Sequence, residues 1–231
     1  MSDSEADEDV ATAAAPTAAK EIRVAFVGEP SVGKTSLIRR LCYDEFSRQY
    51  VATVGADFYM KRISLPGRKE VTLKLTDVGG LELRGSMIDK YLFNADMIIL
   101  VYDITNPTSF DYMSNWLAIV LGLLESAPFF AVIGNKCDLE HQRAVRLDKT
   151  NQFVADHNLI SLLASAKTGE SVDACIVDLI SRHLGLPPLT KTQKEQHQAV
   201  LKVELVPSPP ENVKRKIGHV HHTKSSVCCI Q

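Results

Sequence analysis

Gly28-Glu29-Pro30-Ser31-Val32-Gly33-Lys34-Thr35-Ser36 is the stretch on which the reading of this chain turns. Its spacing is GxxxxGK[ST], a pattern that carries weight only where a strand runs into it and a helix leaves it. Both neighbours qualify. IRVAFV before it (22–27) is β-branched and aromatic, with the length of a buried strand, and a helical stretch follows to about Asp44. In such a loop the glycines let backbone N–H groups curl around phosphate oxygens, and the helix N-terminus adds the positive end of its dipole. Phosphate binding is therefore expected from Ser31, Val32, Gly33, Lys34, Thr35 and Ser36, with Lys34 reaching the β and γ phosphates and Thr35 ligating Mg²⁺.

Outward from this loop, strand-like and helix-like segments alternate. DFYMKRISL and EVTLKLT, joined by Pro66-Gly67, read as an antiparallel hairpin. MIILVYD is a nearly continuous apolar strand, and Thr105-Asn106-Pro107 after it signals a helix start. FFAVIGN, a helix over 147–157, the strand LISLLAS and a last helix over 171–184 complete the series. Alternation of this kind needs crossovers, so an α/β fold is predicted. Its sheet is mostly parallel and six-stranded, with helices on both faces, one antiparallel edge strand, and ligands at the carboxyl ends of the strands. On the helix after Pro107, the spacing predicts a core face of Tyr112, Trp116, Ile119 and Leu123. Met113, Leu117, Leu121 and Leu124 form a second apolar stripe, for a neighbouring helix or a partner groove.

Asn135-Lys136-Cys137-Asp138 follows the strand FFAVIG, where a crevice is expected, and selects the base. A carboxylate at Asp138 can accept from both the ring N–H and the exocyclic amine of guanine, a donor pair that adenine lacks. The Lys136 stem is expected to pack along the purine, and Ser165-Ala166-Lys167, after the next strand, to offer a backbone N–H to the guanine oxygen. This hydrogen-bond pattern argues against a P-loop kinase or ATPase.

The bulk numbers fit one domain. In 231 residues, 45% hydrophobic and 23% charged, the net charge of −2 gives no field that would attract nucleic acid, and no nucleic-acid partner is expected. Five acids precede the first lysine, the reverse of a targeting peptide, so residues 1–20 read as a disordered acidic arm. The nucleotide-binding domain is placed at 21–185, and 186–231 reads as a flexible tail in which TQKEQHQAVLKVEL has marginal helical character. The longest apolar run, 117–124, is too short to span a membrane. Cys42, Cys137 and Cys175, scattered singly, suit reduced thiols of the cytosol. His219, His221 and His222 lack a fourth ligand and read as solvated rather than metal-binding. Cys228-Cys229-Ile230-Gln231 fits the C-a-a-X signal for farnesyl on Cys228, with Lys214, Arg215, Lys216 and Lys224 upstream as a second membrane signal.

In this order, GEPSVGKTS, Thr53 within YVATVGADF, DVGGLE, NKCD and SAK resemble the five nucleotide-site motifs of Ras-like small GTPases, over about residues 21–184. VGADF and LVYDITNPTSF look like the Rab branch. SLPG, DVGG, DKYLF, GNKCDLEH, SAKTG and the cysteine-bearing terminus are similar to the Rab subfamily numbered twenty-eight. The resemblance implies a Ras-like G domain, with GTP/GDP and Mg²⁺ as cofactors. It implies a monomeric switch in membrane traffic that meets effectors, an exchange factor and an activating protein through its switch regions. Endosomes or the base of a cilium or flagellum are its implied compartments, together with cytosol. By the same resemblance Thr53 ligates Mg²⁺ when GTP is bound, Asp77 approaches the metal through water, and the Gly80 N–H meets the γ phosphate. Double-cysteine Rab ends can also carry two geranylgeranyl groups.

Three residues depart from the family pattern. Pro30 stands where Gly or Ser is usual, and Thr76 replaces a Trp of the effector surface, which leaves Phe58 and Tyr91. Leu81 occupies the place of the Gln that orients the attacking water. An isobutyl group neither donates nor accepts a hydrogen bond, so slow GTP hydrolysis is expected, with a constitutively GTP-loaded scaffold as the alternative.

Overall fold

The computed structural model describes residues 20–65, 67, 69–124 and 127–186. The expected sheet is present. β1 (Lys20–Val27), β2 (Ala56–Leu65), β3 (Lys69–Val78), β4 (Met97–Asp103), β5 (Phe129–Asn135) and β6 (Ile160–Leu163) lie in the order β2-β3-β1-β4-β5-β6. All pairings are parallel except the β2–β3 hairpin, which leaves β2 as the antiparallel edge. Every residue of β4 is buried, as a central strand covered on both faces requires. β2 instead leaves Phe58 and Met60 exposed.

The two sheet faces support two apolar clusters. Leu37, Ile38 and Leu41 of α1 (Lys34–Tyr43) and the buried stripe of α6 (Val172–His183) cover one face. α2 (Ile88–Tyr91), α3 (Pro107–Asp111), α4 (Met113–Leu123) and α5 (Leu147–Asp156) cover the other. Successive strand residues point to opposite faces, so Val24 and Phe26 serve one cluster while Ala25 and Val27 serve the other. From β1 the chain first runs outward to β2 and β3, then returns to β4 and continues the opposite way. That reversal opens a crevice at the carboxyl ends of the strands. Among the described residues no helix is long and apolar enough to cross a membrane.

Two expectations need correction. The helix after Thr105-Asn106-Pro107 starts as its signal says, with the Asn106 side chain accepting from the Thr108 N–H and Pro107 in the first turn. It then divides at Tyr112 into α3 and α4. The core face of α4 is also shifted: Met113, Trp116, Leu117 and Val120 are buried, while Tyr112, Ile119, Leu121 and Leu123 are largely exposed. The apolar residues of this segment surround the axis too evenly for periodicity to choose a side, and packing on the sheet chooses it. Short 3₁₀ turns at Glu82–Arg84 and Cys137–Gln142 were not anticipated.

Candidate nucleotide-binding site

A crevice of about 520 Å³ lies at the carboxyl ends of β1, β3, β5 and β6. It brings together Ser31, Gly33, Lys34, Thr35, Ser36, Thr53, Gly80, Asn135, Lys136, Asp138, Ala166 and Lys167, residues drawn from five separated motifs. Val32, Asp77 and Ser165 are buried behind this lining. Leu81 does not line it, and its side chain is 77% exposed.

The phosphate end is built by the β1–α1 turn. Gly33 has φ +95°, and a Cβ there would sit 2.3 Å from Asn135 Nδ2, so both the conformation and the close approach require glycine. Lys34 Nζ donates to the Gly28 and Glu29 carbonyls at 2.7 and 3.0 Å, curling the loop around its ammonium. Burial lowers the Lys34 pKa to about 8, against the opposing pull of Asp77 and Glu29. Trp116 Nε1 donates to Glu29 Oε1 at 3.0 Å, which ties the loop to α4. A Cβ on Gly80 would fall 2.3 Å from the Pro30 nitrogen, so Gly80 packs directly against the Pro30 backbone.

Beside the loop, Thr35 Oγ1 donates to Asp77 Oδ2 at 2.5 Å, while Thr53 Oγ1 lies 3.2 Å from both. Asp77 Oδ1 is buried and makes no hydrogen bond among the described residues, and burial raises the Asp77 pKa despite the hydroxyls and Lys34 nearby. Two hydroxyls and one carboxylate with an unpartnered oxygen suit Mg²⁺, a hard cation that takes few protein ligands and retains water. No cluster of three or more His, Cys, Asp or Glu that could hold a metal occurs among the described residues. The histidine and cysteine readings of the tail lie outside them.

Asp138 occupies the base end. Ser165 Oγ donates to its Oδ1 at 2.6 Å, while Oδ2 is buried without a hydrogen bond, its nearest cation being Lys167 Nζ at 3.4 Å. A carboxylate held from one side with a buried acceptor left over fits a ligand that brings its own donors. Lys136, at φ +67°, places Nζ 2.6 Å from Asp103 Oδ2, an ion pair that fixes its stem. Asn135 joins the two ends of the crevice: Nδ2 donates to the Val32 carbonyl at 2.8 Å, and Oδ1 accepts from the Ala166 N–H at 3.1 Å.

Several lining residues escaped the sequence reading, among them Glu45, Phe46 and Leu139, as did the ties made by Asp103 and Arg40 and the indole hydrogen bond of Trp116, which read only as a core residue. The large apolar residues Phe46, Tyr50 and Val51 in the connection between α1 and β2 were the available signal. The others are revealed only by tertiary contacts.

A protein-family model described as the Ras family matches residues 23–184. This chain belongs to the Ras family of small GTPases. Among curated relatives, the chain is 31% identical over 215 residues to Ras-related protein Rab-28 of Caenorhabditis elegans, covering 91% of this chain and 86% of that protein. Ras-family membership makes the protein a GTP hydrolase with a Ras-like G domain, and the similarity places it in the Rab-like branch. The sequence expectations for fold and family therefore hold.

Proposed function

We propose that the protein is a guanine-nucleotide switch of membrane traffic that holds GTP for long periods because its intrinsic hydrolysis is weak. The observation that carries the guanine assignment is the buried Asp138 Oδ2, which has no hydrogen bond among the described residues. Lys34 and the amides of the 31–36 turn take the phosphates; Thr35, Thr53 and Asp77 hold Mg²⁺; Asn135, Lys136, Asp138 and residues 165–167 take the base. When bound, Mg²⁺ neutralises charge on the phosphoryl oxygens. The chain supplies orientation, and Gly80 supplies a backbone N–H beside the γ phosphate.

Weak turnover follows from Leu81. Removal of a preorganised polar group at such a site costs on the order of 10²- to 10³-fold in rate, about 2.7 to 4 kcal/mol. Exposure of Leu81 leaves no buried contact for it to stabilise, so its replacement is tolerable to the fold. Single-turnover GTP hydrolysis is expected to rise about 10²-fold in Leu81→Gln. Equal rates in the two proteins would remove leucine as the cause. If exchange outpaces this hydrolysis, the GTP form accumulates, and the protein acts as a GTP-loaded scaffold. Effectors are expected on the surface of Phe58 and Tyr91. Phe58 is exposed opposite Thr76 across the β2–β3 hairpin, and Tyr91 stands against Gly55. A monomer anchored by a prenyl group on Cys228 to endosomal or ciliary membranes completes the reading.

A further inference from the structure

Arg40 lies well along α1 from the phosphate loop, yet its guanidinium is committed to segments that bound the base end of the crevice. Nε donates to the Ala166 carbonyl at 3.0 Å and Nη2 to the Lys167 carbonyl at 2.9 Å. Nη1 donates to the Asp44 carbonyl at 2.8 Å and to Asp44 Oδ1 at 2.7 Å. The first two bonds span 126 and 127 residues of sequence, so no local propensity produces them. Past Asp44 the chain continues into Glu45 and Phe46, which line the same crevice as residues 166 and 167. One planar fork thus joins two walls.

The peptide group is flat and trans, so its C=O and the next residue's N–H point in opposite directions. A grip on the Ala166 carbonyl therefore sets the direction of the Lys167 N–H and turns it away from Arg40. The Ala166 N–H is already taken by Asn135 Oδ1. We propose that Arg40 is a positioning residue for base selection: by holding two successive carbonyls it fixes the peptide planes that present a loop N–H to the oxygen of guanine. Arginine suits this role because its donors form a rigid fork, whereas a lysine ammonium is a point charge that cannot hold two carbonyls in one plane. The inference rests on the guanine assignment above.

The test compares GDP with 2-aminopurine riboside 5′-diphosphate, which keeps the exocyclic 2-amine but lacks the 6-oxygen and with it the N1–H that faces Asp138, on full-length wild type, Arg40→Lys and Arg40→Gln. The N1–H loss is common to all three proteins, so the change in preference between them reads the oxygen contact. Lysine retains the stem and the charge, so the fold survives in that variant, and thermal melting checks both. The wild-type preference for GDP over the analogue is expected to shrink about tenfold in each variant, with GDP released correspondingly faster. An unchanged preference overturns the proposal, whether affinities are unaltered or both nucleotides weaken by the same factor, because the second pattern is that of a merely structural brace. If wild type itself fails to distinguish GDP from ADP, the guanine assignment falls first and takes this role with it.

Discussion

Lys34 and Asp77 show how a site built for a charged ligand looks from the protein's side. Burial opposes the charge on each, lowering the lysine pKa to about 8 and raising that of the carboxyl. In the proposed binding mode, phosphates remove the first penalty and a divalent cation the second, so the cost of burying these two groups is recovered when Mg²⁺-nucleotide binds. The sign for Lys34 follows from linkage: free protein loses this proton near pH 8, whereas a lysine beside phosphate keeps it, so binding takes up a proton above pH 8. GDP affinity is expected to be flat up to about pH 8 and then to fall by up to about tenfold per pH unit. Titrations at pH 7, 8 and 9 check this, and affinity that stays flat or rises contradicts it. Leu81 has neither a donor nor an acceptor and is 77% exposed; in the proposed mechanism it stands where a polar side chain would orient the attacking water.

Among the elements, α4 is where sequence and packing diverge. The segment from Tyr112 to Leu124 has no charged residue, so its hydrophobic pattern has no polar side to mark the solvent face. Contact with β4 and β5 decides instead, burying Leu117 to 3% exposure and leaving Leu121 at 52%. Leu117→Ala is expected to cost about 2–5 kcal/mol in urea unfolding, while Leu121→Ala changes stability by less than about 0.5 kcal/mol. Equal costs would show that the face is misassigned. The strands were legible for the opposite reason. MIILVYD, buried along its whole length, and the hairpin that alternates about Gly67 leave few alternatives. The loops that carry NKCD and SAK were legible as chemistry because each follows a strand end. Asn135 read as a ligand-contacting residue, yet here its amide bridges Val32 and Ala166. A bond between residues about a hundred positions apart leaves no trace in local pattern.

Over the whole molecule, the crevice is held by long-range ties: Asn135 from phosphate loop to base loop, Trp116 from α4 to Glu29, and Arg40 from α1 to residues 166 and 167. Nucleotide binding is therefore expected to stabilise the domain as a unit rather than order one loop. The tail, outside the described residues, carries the remaining prediction. One prenyl chain binds membranes only marginally and needs a second signal, so Cys228→Ser is expected to move the protein from the membrane fraction to the soluble fraction of eukaryotic cells. Unchanged fractionation, or an unmodified Cys228 in mass spectrometry, contradicts the anchor. The central claim is that Asp138 and the amide cradle around Lys34 hold one guanine nucleotide between them. Calorimetric titration of nucleotide-free, full-length protein with GDP and with ADP, in Mg²⁺, tests it most directly: the account predicts GDP tighter by at least about 10²-fold, and equal affinities would contradict it.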